Sequence, residues 1–182
     1  QVAATKRAGE MAGFEQVEIL MEPVAAAFNY GFVNNIKDGK FVVFDFGGGT
    51  FDAALVKAEG GIMSVVSSEG DNFLGGKDLD NVVVDQFLLP LIKESYDIDN
   101  LDETSLKSLK RKLKRTADTL KIDLGKEESV EFLSDLGDYG DDANGEEIEI
   151  EKIFNRDEIH GAMTEIFMKA IGHAKTLLEV NN

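Results

Sequence analysis

Three apolar runs between residues 41 and 68 are separated by nothing longer than a glycine turn, and this constrains the fold more than any other feature of the chain. Residues 41–46 (FVVFDF) and 51–57 (FDAALVK) flank Gly47-Gly48-Gly49-Thr50, and Gly60-Gly61 leads into a third run at 62–68. Parallel strands need a crossover of about a dozen residues or more. Strands joined this tightly therefore predict an antiparallel meander.

Elements on either side place that meander in an α/β chain. Ala4, Ala8, Met11 and Ala12 repeat at helical spacing, with Gly13 suited to the left-handed residue that closes a helix. Residues 17–21 read as a short buried strand. Pro23 fits a first helical position, and a helix is expected through residue 30, followed by a polar turn over 34–40. The pattern changes after Gly70. A glycine-containing loop at 71–76 precedes a helix marked by Leu79, Val83 and Phe87 and disturbed at Pro90. Leu106, Leu109, Leu113, Ala117, Leu120 and Leu124 form the seam of a long amphipathic helix. Residues 129–133 and 147–150 read as a hairpin around an acidic loop. Ile159, Met163, Ile166, Phe167, Ala170, Ile171, Ala174 and Leu178 mark a last helix starting near Arg156-Asp157. Phe28, Phe44 and Phe46 are expected to fill the core.

Composition excludes several classes of function. The chain has no cysteine, so disulfides and thiolate metal sites are impossible. No apolar run approaches the roughly 20 residues of a membrane span, and the first residues lack the order of a signal peptide. A soluble, cytoplasmic protein is the expectation. A net charge of −16 repels nucleic acid and anionic membrane over most of the surface. The charge is uneven, with seven bases from Lys107 to Lys121 and eight acids without a base from Asp135 to Glu151. Such blocks are usually solvated faces, though a basic ridge can also meet an anion. Residues 140–151 partly mimic a calcium loop, but Gly140 occupies the first ligand position and a strand pattern follows, which argues against calcium. His160 and His173 have no companion ligands for zinc.

The sharpest chemical signal is Asp45-Phe46-Gly47-Gly48-Gly49-Thr50-Phe51-Asp52. Glycines let backbone N–H groups approach a phosphate closely, and successive N–H groups make an anion nest. Asp45 at the end of a strand suits a hydrated Mg²⁺, which keeps most of its own waters. Thr50 can donate to a phosphate oxygen. Neither better-known phosphate motif applies: no Gly-Lys-Ser/Thr follows, and a second strand stands where a dinucleotide fingerprint needs a helix.

This octapeptide resembles the second phosphate loop of the 70-kDa heat-shock chaperone family. Three further stretches resemble that family in order and spacing: Glu22-Pro23-Val24-Ala25-Ala26-Ala27, the run 70–81 (GDNFLGGKDLDN), and 117–124 (ADTLKIDL). The resemblance implies a ribonuclease H-like, actin-like ATPase lobe with a mixed sheet and a smaller outer α+β subdomain. It implies ATP or ADP with Mg²⁺, and K⁺ as a further candidate. The implied catalytic residues are Glu22, Asp45 and Thr50. Gly47, Gly48, Gly49, Thr50, Gly76, Asp118 and Lys121 would bind nucleotide, and Asp45 and Asp52 would act on metal through water. The implied organisation is 1–31 as the tail of a first lobe and connecting helix, 32–68 as the core meander, 69–155 as the outer subdomain, and 156–182 as a helix packing on the second lobe.

Three positions depart from the family pattern. Lys77 stands where an acid is usual, Asp118 replaces a glutamate, and Gly125 replaces a serine. The family's first phosphate loop and catalytic lysine, and its later adenosine loop, are expected outside residues 1–182, so the chain alone is expected not to turn over ATP. The implied partners are a nucleotide-exchange factor, a J-domain co-chaperone and unfolded protein clients, with no nucleic acid and no membrane. A non-catalytic docking module, a different actin-like ATPase and a degenerate, non-hydrolysing parent are the competing readings.

Overall fold

The structure is a computed structural model that describes residues 2–133 and 140–181. The chain divides into two compact units. One comprises residues 2–46, 51–71 and 172–181; the other comprises 47–50, 72–133 and 140–171.

The first unit holds helices α1 (Val2–Met11) and α2 (Glu22–Val33), strands β1 (Gly39–Phe46), β2 (Phe51–Glu59) and β3 (Ile62–Asp71), and the last turns of the final helix. The strands form the expected antiparallel meander in the order β1-β2-β3. Turn chemistry sets its register. Gly60 and Gly61 take positive φ of 58° and 84°, which costs glycine little and an L side chain much. β2 is the central strand, and Ala53, Ala54, Leu55 and Val56 are all buried. On one face Ala54 and Val56 pack with Ala27 of α2, joined by Phe41, Val43, Met63 and Val65. On the other, the His173 ring lies 5.9 Å from Phe51. Both faces of β2 are covered, so its sequence reads as a continuous apolar run rather than an alternation.

The second unit holds α3 (Gly76–Val83), a π-helical turn (Val84–Leu88), α4 (Leu89–Lys93), α5 (Glu103–Leu124), β4 (Ser129–Leu133), β5 (Glu151–Asn155) and most of α6 (Arg156–Val180). The widened π turn directly precedes Pro90, where a missing N–H and the ring's demand for space disturb a regular helix. Asp102 caps α5, its Oδ1 accepting from the N–H groups of Thr104 and Ser105 at 2.8 and 3.1 Å. Leu109, Leu113, Ala117, Leu120 and Leu124 are buried along the expected seam. Both sheets are antiparallel; the described residues contain no parallel pair.

Four expectations need correction. Residues 17–21 form no strand; Ile19, Leu20 and Met21 are exposed, and no strand among the described residues pairs with them. The partner of β4 is β5, not 147–150, where Ile148 and Ile150 are buried and Glu147 makes only an isolated bridge to Asp141. Phe28 and Phe44 are half exposed, and among the described residues the fully buried aromatics are Phe51 and Phe154. In α6 the buried residue near the end is Leu177 rather than Leu178. The part of the acidic run from 134 to 139 lies outside the described residues.

Candidate functional site: a glycine loop and a pair of strand-end carboxylates

The loop 47–50 closes on itself and on the start of α3, within the second unit. The Gly47 N–H donates to the Thr50 carbonyl at 2.9 Å. The N–H groups of Gly76 and Lys77 donate to the carbonyls of Gly47 and Gly48 at 2.9 and 2.8 Å. Those bonds engage the loop's acceptors, while the N–H groups of Gly48 and Gly49 take no backbone acceptor among the described residues. Two amides without a backbone acceptor leave donors available to an anion. The approach of the two segments is close. A Cβ built on Gly75 would lie 2.5 Å from the Gly49 nitrogen and 2.7 Å from the Gly47 oxygen, so only glycine fits there. Gly75 is held in turn by donating its N–H to the Asp78 carboxylate at 2.9 Å. Gly76 lies against Gly47 and Gly48, and the closest approach in the stretch 70–81 belongs to Gly75.

In the first unit, Asp45 and Asp52 are directly opposed across β1 and β2, one residue in from the ends of the strands. Opposed residues share a face of the sheet, and like charges there are destabilising unless something neutralises them. Two carboxylates on one face suit Mg²⁺ held through its waters, since that ion is commonly bound by one or two carboxylates and retains several waters. No cluster of three or more His, Cys, Asp or Glu that could hold a bare metal occurs among the described residues. The Asp52 side chain crosses Gly70 of β3, where an added Cβ would meet Oδ1 at 2.9 Å and the Phe51 carbonyl at 2.8 Å. Gly70 is therefore the second glycine fixed by close approach. Glu22 opens α2 as an exposed first-turn acid followed by Pro23, a placement that favours a carboxylate.

The residues expected on the nucleoside side lie in the second unit and are more committed to one another. The Lys121 ammonium pairs with Asp80 at 2.5 Å, both side chains four-fifths buried, and lies 3.5 Å from Asp118. Asp80 carried no role in the sequence reading; its signal was only its place within residues 70–81. Gly125 caps α5 with ordinary right-handed geometry (φ −67°, ψ −24°), so its backbone would accept a serine. The apparent calcium loop has a structural explanation. Asp142 is buried and accepts N–H bonds from Glu146, Asn144 and Asp97 at 2.8–2.9 Å. Those bonds, the one from Glu146 foremost, hold its carboxyl below the usual range against the opposing effect of burial.

These features define an α/β protein with a glycine anion loop and a pair of strand-end acids. The family model described as Hsp70 protein matches residues 1–180, and the chain belongs to that family. Among curated relatives, it is 43% identical over 124 residues to the "Chaperone protein DnaK" of Mycoplasmopsis pulmonis, covering 68% of this chain and 20% of the relative. It is 41% identical over 133 residues to the protein of the same name from Mycoplasmopsis agalactiae, covering 73% and 22%. Against the "Iron-sulfur cluster biogenesis chaperone, mitochondrial" of Saccharomyces cerevisiae it is 37% identical over 124 residues, covering 68% and 19%. The chain thus spans about a fifth of the length of the curated relatives it matches.

Proposed function

We propose that this chain supplies the second-lobe half of an ATP-binding and ATP-hydrolysing site, in a chaperone that couples hydrolysis to protein folding. The observation that carries this reading is the loop 47–50, its carbonyls tied to α3 and the amides of Gly48 and Gly49 uncommitted, in a chain of the Hsp70 family. On this reading Gly47, Gly48, Gly49 and Thr50 hold the phosphates, with Gly76 beside them. Asp45 and Asp52 orient the waters of a Mg²⁺, with K⁺ a further candidate, and Glu22 helps order the attacking water. Bound Mg²⁺ would neutralise charge developing on the phosphoryl oxygens. Asp118 and Lys121 serve the nucleoside side; the ion pair with Asp80 makes Lys121 a positioning group there. The actin-like fold, the division at 1–31, 32–68, 69–155 and 156–182, and a cytoplasmic location belong to the same proposal. No helix among the described residues is long and apolar enough to cross a membrane.

The test uses a full-length family member carrying this segment. Asp45→Ala and Glu22→Ala are expected to slow single-turnover ATP hydrolysis by about 10²-fold, a usual loss for one such group, while ADP affinity changes little. Rates within a factor of two of the parent would overturn the assigned roles. The isolated chain should bind without turnover, because positioning by all parts of the site is most of phosphoryl-transfer catalysis.

A second reading, compatible with the first, is supported by the basic face of α5. Lys107, Lys110, Arg111 and Lys114 border a recess of about 430 Å³ with Asn81 and Asp85. That surface would dock an acidic partner, a nucleotide-exchange factor by the family's precedent, with the J-domain co-chaperone and clients engaging the whole protein.

A further inference from the structure

Lys77 is placed on the glycine loop. A Cβ built on Gly49 would lie 3.2 Å from its Nζ, 3.4 Å from its Cδ and 3.5 Å from its Cε, so the outer half of the side chain lies along Gly49 and ends there. Its backbone is fixed at the same spot, since its own N–H donates to the Gly48 carbonyl at 2.8 Å. The ammonium is also uncommitted. Lys77 forms no ion pair among the described residues, a condition it shares with most of the chain's lysines; what sets it apart is that its side chain lies along the glycine loop. An exposed lysine laid along this turn puts a positive charge beside the Gly48 and Gly49 amides, which have no backbone acceptor among the described residues.

We propose that Lys77 is a phosphate anchor of this loop, its ammonium supplying a positive charge to the oxygens of a di- or triphosphate held by the Gly48 and Gly49 amides. The inference rests on the phosphate reading of the loop given above and goes beyond it. It assigns a ligand contact to a position where the family resemblance leads one to expect an acid. Lysine acts on phosphate as a compact point charge, so its contribution needs no bidentate geometry and no metal. Gly49 is suited to this arrangement because a side chain there would displace the lysine stem. Nucleotide affinity should accordingly rise with phosphate number, and Lys77→Gln should reduce that dependence.

The experiment is amide-resolved NMR titration of the isotopically labelled chain with inorganic pyrophosphate, in EDTA so that no metal bridges the ligand. The expected result is movement of the Gly48, Gly49 and Lys77 amides at saturable concentrations. Lys77→Gln should weaken binding about tenfold or more, as fits the loss of one charge-assisted contact, with Lys77→Arg within a few-fold of the parent. Lys77→Met replaces Lys77→Gln should the latter lose its amide dispersion. If the amides of the unaltered chain do not respond, the phosphate reading and this inference fall together. If they respond and Lys77→Gln binds as tightly as the parent, the phosphate reading stands and the anchor is refuted.

Discussion

Individual glycines separate residues that shape the site from residues that merely permit a turn. Gly75 admits no Cβ, since one would lie 2.5–2.7 Å from backbone atoms of Gly49 and Gly47, and backbone cannot swing aside as a side chain can. Gly48 has open space around the same position. Gly75→Ala should therefore destabilise by about 1–3 kcal/mol, the usual cost of overpacking, and displace the loop amides. Gly48→Ala should leave stability nearly unchanged. Thermal unfolding of both variants checks the pair, and equal melting temperatures would mean that the loop and α3 are not in contact in solution. The sequence reading included both glycines in its motifs but could not rank them. Glycine for backbone freedom and glycine for close approach are written with the same letter, and only the second depends on a partner distant in sequence.

Secondary elements were legible wherever their own periodicity decided burial. The meander has two-residue and four-residue connections and strongly apolar strands, and α5 carries an uninterrupted seam from Leu109 to Leu124, so local pattern and tertiary environment agree. Leu113, fully buried in that seam, should cost about 2–5 kcal/mol on replacement by alanine, read from denaturant midpoints. The misreadings fall where burial was imposed by something other than a ladder. Ile148 and Ile150 alternate like a strand but are buried in an irregular segment built around Asp142, and the ladder begins only at Glu151. Residues 17–21 are apolar enough for a strand, but among the described residues no strand pairs with them. Asp142 supplies a pH test of that irregular segment. Its folded carboxyl titrates below its unfolded value of 3.8, so the stability it provides is present above that pH and is lost as pH falls through the lower folded value. Asp142→Asn should lower the denaturant midpoint at neutral pH, with the gap from the parent closing progressively below pH 3.8. A gap that is constant down through that range would assign the effect to packing instead of charge.

At the scale of the whole molecule, charge decides what the chain can meet. A net charge of −16 disfavours an acidic partner over most of the surface, which sharpens the significance of the basic face of α5. On α5 the cations are only partly neutralised by their neighbours: Lys107 pairs with Glu103 at 2.6 Å and Lys110 with Asp85 at 3.5 Å, both exposed, while Arg111 and Lys114 border the same recess. Exposed pairs of this kind contribute little to stability, so neutralising the recess should barely affect folding. Opposed charge across an interface contributes orientation and encounter rate more than final affinity. On the proposed docking reading, an acidic exchange factor should associate with the chain more slowly as salt rises, because exposed charges are screened beyond about 8 Å at physiological ionic strength. Double replacement Arg111→Gln and Lys114→Gln should reduce the association rate and flatten its salt dependence, with an unchanged melting temperature. Stopped-flow association at low and high salt reads both effects. Binding that is salt-independent, or that persists unaltered in the double variant, would remove α5 as the docking face and direct the search for a partner to the acidic remainder of the surface.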